Sequence, residues 1–276
     1  MKNNYYNTKT LGPVSSFLIS ELKKSGENIF GIKKAASILK KGEKAAADLL
    51  SELVKRGILL RLKSGLFLIV PLEAGSNYLE NKYIVAKELI SSNNYYISHY
   101  SAMALHGLTT QPILKVFTTA AKREKNRTIS GVEFIFIYCK PENLFGIEEK
   151  WITKQEKIRV SNIEKTIMDA MIRPELCGGI SEAAKGIWLV KNRIDFARLV
   201  DYCEKAKVKS AVKRMGFILQ ELNLASGIAR KLETLVKNSA SYALLDPALK
   251  KQGKYLKRWR LRINFNPEEL KSIIWA

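Results

Sequence analysis

The stretch IKKAASILKKGEKAAADLLSELVKRGILLRLKSGLFLIV, residues 32–70, contains two short amphipathic segments followed by two apolar ones. Apolar side chains recur every three or four residues in Ile32–Leu39 and in Glu43–Arg56, which predicts two helices. Lys40-Lys41-Gly42 separates these helices and predicts a tight turn between them. Two short helices separated by such a small turn let the second helix present its N-terminal end outward.

Strands are predicted after the second helix, which ends at Gly57. Ile58–Leu62 and Leu66–Val70 are apolar and are joined by Lys63-Ser64-Gly65, where glycine permits the positive φ of a hairpin turn. A further helix, Val14–Lys24, is expected to begin at Pro13. Three short helices followed by a hairpin within about 70 residues are typical of a winged helix-turn-helix.

Basic side chains surround the predicted turn and hairpin. They form the candidate DNA-binding set together with one serine on the second helix: Lys33, Lys34, Lys40, Lys41, Lys44, Ser51, Arg61 and Lys63. Lys44 and Ser51 are candidates for contacting base edges, and the others are candidates for contacting phosphates. The alternative is that these lysines only solvate a small helical domain.

The remainder of the chain predicts an α+β protein. Residues 1–71 are expected to form the winged helix-turn-helix domain, and residues 72–276 a larger second region. Within that region, residues 72–156 alternate predicted helices and strands as an α+β module. Residues 157–276 are predicted to be mainly helical and form a basic subdomain.

Charge indicates a polyanionic partner. The 276 residues carry 47 Lys and Arg against 26 Asp and Glu, a formal net charge of +21. The excess lies at +8 in residues 1–71 and +13 in residues 150–276, whereas residues 72–149 are neutral. Double-stranded DNA is therefore the expected partner, and no membrane is expected. Three scattered cysteines and the absence of a secretory signal predict a cytoplasmic location.

A basic stretch near the C-terminus has alternating character. Arg258, Arg260 and Arg262 alternate with Trp259, Leu261 and Ile263, which predicts an extended segment with three arginines on one face. The second candidate anion-binding surface comprises those arginines and two nearby lysines: Lys254, Lys257, Arg258, Arg260 and Arg262. An edge strand protected by charge explains the same pattern.

Catalytic chemistry is not indicated. His99 and His106 lie seven residues apart on one predicted helix, without a carboxylate or cysteine set that would complete a metal site. Structural histidines are the simpler interpretation. No nucleotide-binding loop or strand-borne acid pair is present. No catalytic residue, metal or cofactor is therefore predicted, and the chain is not expected to be an enzyme.

Several stretches together resemble the AbiEi-type antitoxins, transcriptional regulators of bacterial abortive-infection operons. The stretches that carry this resemblance are residues 98–108 (SHYSAMALHGL), 160–169 (VSNIEKTIMD) with Pro174 and Gly178-Gly179, 212–220 (VKRMGFILQ), 242–247 (YALLDP) and 258–261 (RWRL). Two positions depart from the family pattern, Lys165 where arginine is usual and Met215 where leucine is usual.

The resemblance implies a two-part function. An N-terminal winged helix would bind inverted repeats upstream of the chain's own operon and repress it. The larger C-terminal region would counter a nucleotidyltransferase-like toxin, as a type IV antitoxin that need not form a stable complex with it. The alternatives are an RNA- or toxin-binding module without sequence-specific DNA recognition and, less favoured, a metal-dependent nuclease.

Overall fold

The computed structural model describes residues 11–71, 73–74 and 78–272. The chain divides into two compact units. One contains the residues up to Ser91 together with Thr128–Val132, and the other contains Ser92–Arg127 and the residues from Glu133 onward. Both units combine helices with sheets, so the fold is α+β. No helix of the described residues is both long and apolar enough to cross a bilayer.

The first unit contains three helices, a small sheet and a fourth helix. Its elements are α1 (Pro13–Lys24), β1 (Ile29–Gly31), α2 (Ile32–Leu39), α3 (Glu43–Lys55), β2 (Leu59–Lys63), β3 (Leu66–Ile69) and α4 (Lys82–Ile90). The strands are antiparallel in the order β1-β3-β2, with Phe30 opposite Phe67 and Leu60 opposite Leu68. The sequence predicted the bounds of α1 to α3 and of the hairpin strands β2 and β3 to within a residue or two, but it missed β1.

The core of the first unit explains why these elements form. The buried faces of α1 and α3 contribute Leu18, Leu22, Leu50 and Leu53, which pack with Phe67 from the sheet. Each helix places apolar residues at i, i+3 or i+4 on this face, so burial reinforces the local helical preference. Lys40 adopts the left-handed conformation, with φ of 51°, at the end of α2 and turns the chain into α3.

The second unit is built on a mixed sheet with helices after it. Its first elements are β4 (Tyr95–Ile97), α5 (His99–His106), β5 (Lys115–Ala120), β7 (Val132–Tyr138), β8 (Ile147–Trp151) and β9 (Lys157–Ser161). The short strand β6 (Arg127–Ile129) lies where the chain passes from the second unit into the first. Five strands are neighbours in the order β7-β5-β4-β9-β8. β9, the first element of the predicted helical subdomain, pairs in parallel with β4 and antiparallel with β8.

Helices dominate the remainder of the second unit. The helices are α6 (Ile163–Ile172), α7 (Gly179–Leu189), α8 (Phe196–Ala206), α9 (Lys209–Glu221), α10 (Ser226–Val236) and, at the end, α11 (Pro267–Ser272). Between α10 and α11 lies a small three-stranded sheet of β10 (Ala243–Leu244), β11 (Lys254–Leu256) and β12 (Leu261–Ile263). α6 is capped by Asn162, whose side chain accepts a hydrogen bond from the Lys165 amide, and α8 is capped in the same way by Asp195.

The C-terminal basic stretch is not one extended strand, so that prediction was wrong. Residues 257–260 form the turn between β11 and β12, and only 261–263 are extended. The chain turns here because Trp259 is fully buried, which packs the turn against the rest of the second unit. Arg260 has a φ of 50°. Arg258, Arg260 and Arg262 therefore do not share one strand face.

Candidate nucleic-acid interfaces

The turn between α2 and α3 carries the first cluster of candidate residues. Lys40, Lys41 and Lys44 are exposed there, and Lys33 is exposed at the other end of α2, near its start. Gly42 is the N-cap of α3, and no side chain of the described residues caps this helix. The amide groups of its first turn therefore remain available beside the lysines, an arrangement that favours an anion.

Lys34 differs from its neighbours because it has an acidic partner. Its Nζ lies 2.6 Å from Glu27 Oε1, and both side chains are more than a third exposed. Exposed ion pairs contribute little free energy and are weakened by salt. A phosphate could therefore replace the carboxylate at small cost.

Arg61 and Ser51 are brought together, although they lie on a strand and a helix. Arg61 Nη2 donates a hydrogen bond to Ser51 Oγ over 3.0 Å, and its guanidinium lies 5.5 Å from the centre of the Phe67 ring. Arg61 remains exposed. The serine and the ring therefore hold the guanidinium in one orientation at the surface.

Lys63, the other hairpin candidate, is turned toward α4. Its Nζ donates to the Leu89 carbonyl over 2.6 Å and to Ser91 Oγ over 2.9 Å. A cation is stabilised at the C-terminal end of a helix, where the last carbonyls are unpaired. The ammonium group of Lys63 is thus engaged within the first unit.

A second basic surface lies in the second unit, on the β11–β12 hairpin. Lys254 and Lys257 are exposed, and neither has an acidic partner within the described ranges. Arg258 is shared between Gln220 Oε1, at 2.9 Å, and Glu233 Oε2, at 3.3 Å.

Two tyrosines belong to this second surface, although the sequence predictions did not include them. Tyr242 and Tyr255 meet edge to face with ring centres 4.9 Å apart. The Arg260 guanidinium lies 5.7 Å from the Tyr242 ring, and that of Arg262 lies 5.3 Å from the Tyr255 ring. The signal that could have found Tyr255 is an aromatic residue within a run of lysines and arginines.

A buried polar cluster lines a cavity of about 210 Å³ in the second unit. Lys165 Nζ binds Asp169 Oδ1 at 2.5 Å, and both side chains are about 95% buried, at 4% and 6% exposure. Tyr96 donates its hydroxyl hydrogen to Asp169 Oδ2 over 3.1 Å. Burial, and then the charge of Asp169, raise the pKa of Tyr96. The network leaves neither buried charge without a partner, which offsets the cost of removing both charges from water.

His99 lies on the wall of the same cavity in an unusual conformation. Its φ is 49°, uncommon for a residue other than glycine, and its Nδ1 is 2.9 Å from Ser98 Oγ. Burial lowers its pKa from 6.5 to about 4. The imidazole is therefore neutral at pH 7.

His106 is held by the backbone of the neighbouring strand. Its Nε2 lies 2.6 Å from the Ser161 carbonyl, so this nitrogen carries the hydrogen. Burial also lowers the pKa of His106. The two histidines do not converge on a common site, and no cluster of three His, Cys, Asp or Glu side chains within the described ranges could hold a metal ion.

The stretches that carry the family resemblance contribute buried contacts. Arg214 Nε donates to the Leu244 carbonyl over 3.0 Å and its Nη1 donates to the Met171 carbonyl over 2.7 Å. Asp246 Oδ2 accepts a hydrogen bond from the Ile180 amide over 2.9 Å. These residues tie the loop after α10 to the ends of α6 and α7, and desolvation lowers the pKa of Arg214.

Comparison with solved structures finds the same fold elsewhere. The crystal structure of the RV2827C protein from Mycobacterium tuberculosis matches 97% of this chain and 96% of its own, with a TM-score of 0.73 at 13% sequence identity. The likeness at this identity concerns the fold alone. No family model matches the chain, and no curated protein matches it in sequence.

Proposed function

We propose that this protein is a DNA-binding transcriptional autorepressor and the antitoxin of a type IV toxin–antitoxin system that acts in abortive infection and phage defence. The observation that carries the proposal is the lysine cluster around the start of α3, in a unit whose elements follow the order helix, strand, helix, helix, hairpin. That order supports a winged helix-turn-helix, in which α3 enters the major groove.

The proposed DNA contacts divide by chemistry. Lys40 and Lys41 would neutralise phosphates beside the start of α3, where the unpaired amides also attract negative charge, and Lys33 would neutralise a phosphate near the start of α2. Lys44 projects from the first turn of α3 and would reach a base edge. Lys63 is not included in this contact set because its ammonium binds the end of α4.

Arg61 and Ser51 would act as a pair. The Ser51 hydroxyl accepts from Arg61, so its own hydrogen remains to be donated to a base or a phosphate. The guanidinium, held over Phe67, would lie along the backbone of the neighbouring strand of DNA. Pre-orientation of this kind reduces the entropy lost on binding.

The antitoxin part of the proposal rests on the resemblance to the AbiEi-type family. The second unit would counter a nucleotidyltransferase-like toxin encoded beside it, in the cytoplasm and without an enzymatic activity or a cofactor of its own. The operator would carry inverted repeats, so two copies would bind side by side.

Fluorescence anisotropy of the full-length protein tests the repressor function. The probes are a labelled fragment of the chain's own upstream region and a scrambled duplex of the same length, each measured across a salt series. A preference of about 10³ or more for the upstream fragment supports the proposal. Equal affinity for the two duplexes, lost as salt rises, contradicts it because that is the behaviour of a simple polycation.

Lys44→Ala and Lys55→Ala form a matched pair for the same assay, since both lysines are exposed residues of α3 at opposite ends. Lys44→Ala should reduce the preference for the upstream fragment by about tenfold, the equivalent of one base contact. Lys55→Ala should leave that preference unchanged. Equal losses on both duplexes for Lys44→Ala would make Lys44 a phosphate contact.

A further inference from the structure

The β11–β12 hairpin carries charge in an unusually one-sided way. Residues 247–267 contain seven lysines and arginines and no acidic residue. All four lysines of this stretch, Lys250, Lys251, Lys254 and Lys257, are exposed and have no acidic partner within the described ranges. A surface of this kind attracts a polyanion.

Aromatic rings lie among these charges. Tyr255 is 60% exposed and Tyr242 is 36% exposed, and both therefore present ring surface to solvent. An edge strand protected against aggregation needs only charge, and exposed tyrosines would weaken that protection. The edge-strand explanation accounts for the lysines but not for the rings.

The four side chains form a continuous series of planar groups. Arg260 lies over Tyr242, Tyr242 meets Tyr255 edge to face, and Arg262 lies over Tyr255. Arginine and tyrosine planes are the surfaces on which unpaired nucleotide bases stack.

Strand pairing, a hydrogen bond and a buried tryptophan restrict the movement of these side chains. Arg262 and Tyr255 are directly paired across β11 and β12, and Arg262 Nε also donates to the Gly253 carbonyl over 3.4 Å. Trp259 is buried between Arg258 and Arg260 and anchors the turn. Rings and guanidinium groups fixed in this way lose little conformational entropy when a ligand binds.

We infer that the surface formed by Tyr242, Tyr255, Arg260 and Arg262, with Lys254 and Lys257 beside it, binds single-stranded RNA. The bases stack on the tyrosines and guanidinium groups, and the lysines follow the phosphates. Duplex DNA keeps its bases stacked inside the helix and offers none to these rings, whereas RNA in a cell presents unpaired bases in loops and ends. The inference does not depend on operator binding by the first unit.

The test is anisotropy of the full-length protein with a labelled 15-nucleotide oligouridine, the matching deoxythymidine oligomer and a 15-base-pair duplex. Tyr255→Leu should weaken oligouridine binding by about 5- to 150-fold, the range for loss of one stacked base, and leave duplex binding unchanged. Lys254→Gln should weaken oligouridine binding and lower its salt slope by about 0.7.

The matched control is Trp151→Leu. Trp151 is also 60% exposed and also has a cation over its ring, Lys157 Nζ at 4.6 Å, but it lies on β8. This variant should bind oligouridine as the unchanged protein does. Lys44→Ala should likewise leave oligouridine binding intact, so that loss of operator recognition and loss of RNA binding are separable.

Three results would overturn the inference. Unchanged oligouridine affinity in both Tyr255→Leu and Tyr242→Leu/Tyr255→Leu would show that the rings do not stack on bases. Equal losses on duplex and oligouridine would make the surface a duplex contact. A tenfold or greater preference for the deoxythymidine oligomer would make single-stranded DNA the ligand.

Discussion

Gly216 on α9 lies directly against the indole ring of Trp259, so closely that a Cβ at residue 216 would be 2.1 Å from Trp259 Cζ3. One turn further along the same helix face, Gln220 Oε1 accepts a hydrogen bond from Trp259 Nε1 over 2.9 Å. The missing side chain at residue 216 and the amide at residue 220 together admit the ring. This contact fixes the turn on which Arg258 and Arg260 are carried.

Gly216→Ala should destabilise the protein because the added methyl group cannot fit beside the indole. The expected loss is about 1–3 kcal/mol in the free energy of unfolding, the usual cost of overpacking, measured by urea denaturation. Gly227→Ala is the matched control, since Gly227 lies in α10 with nothing within 4 Å of an added Cβ. That variant should gain up to about 1 kcal/mol. Equal stability of the two variants would contradict the close contact.

Local sequence patterns predicted most of the secondary structure and less of the candidate sites. Helical spacing located α2 and α3, and short apolar runs located β2 and β3, because both patterns are set by near neighbours. β1 was missed since three residues, Ile29–Gly31, are too few for a period to show. The C-terminal alternation misled because burial of Trp259 overrode it.

Partners distant in sequence account for the remaining differences. Lys63 binds the end of α4, 26 residues away, and no local sequence pattern predicts that contact. Tyr242 and Tyr255 lie 13 residues apart and meet through sheet pairing and the turn that Trp259 anchors. The buried pair Lys165 and Asp169 has the ordinary i,i+4 spacing of an exposed helical ion pair. Its burial follows from the packing of α6 and was not predicted from the spacing.

Asp169→Asn should destabilise the protein strongly because it leaves the charge of Lys165 buried without a counter-charge. The expected loss is about 3–5 kcal/mol. Asparagine keeps an oxygen that can accept from Tyr96, so the effect isolates the charge. Lys165→Met combined with Asp169→Asn removes both charges and should recover most of that loss. Urea unfolding of the two single variants and the double variant provides the measurement, and additive losses would contradict the coupling.

Stability should fall as the pH drops from about 6.5 to 4, in part because His99 is buried in its neutral form. The folded-state pKa of about 4 lies below the ordinary 6.5, so between these values the unfolded chain binds a proton that the folded protein does not. The free energy of unfolding therefore decreases toward acid, by about 3 kcal/mol from this group, and is independent of it above 6.5.

His99→Asn tests this source of the pH dependence, because asparagine does not titrate and tolerates the positive φ at this position. Its unfolding free energy should vary less between pH 7 and 4.5 than that of the unchanged protein. Parallel profiles for the two proteins would assign the acid sensitivity to other groups.

Lys41→Ala and Lys63→Ala should separate a phosphate contact from a lysine engaged within the fold. Lys41 is exposed beside the start of α3, so its loss should weaken binding to every duplex and lower the salt slope by about 0.9. Lys63 donates to Leu89 and Ser91. Its replacement should leave the salt slope unchanged and lower the free energy of unfolding by about 1 kcal/mol, as expected for lost hydrogen bonds. Anisotropy across a salt series measures the slope and urea unfolding measures the stability. An equal fall in slope for Lys63→Ala would mean that Lys63 leaves the end of α4 when DNA binds.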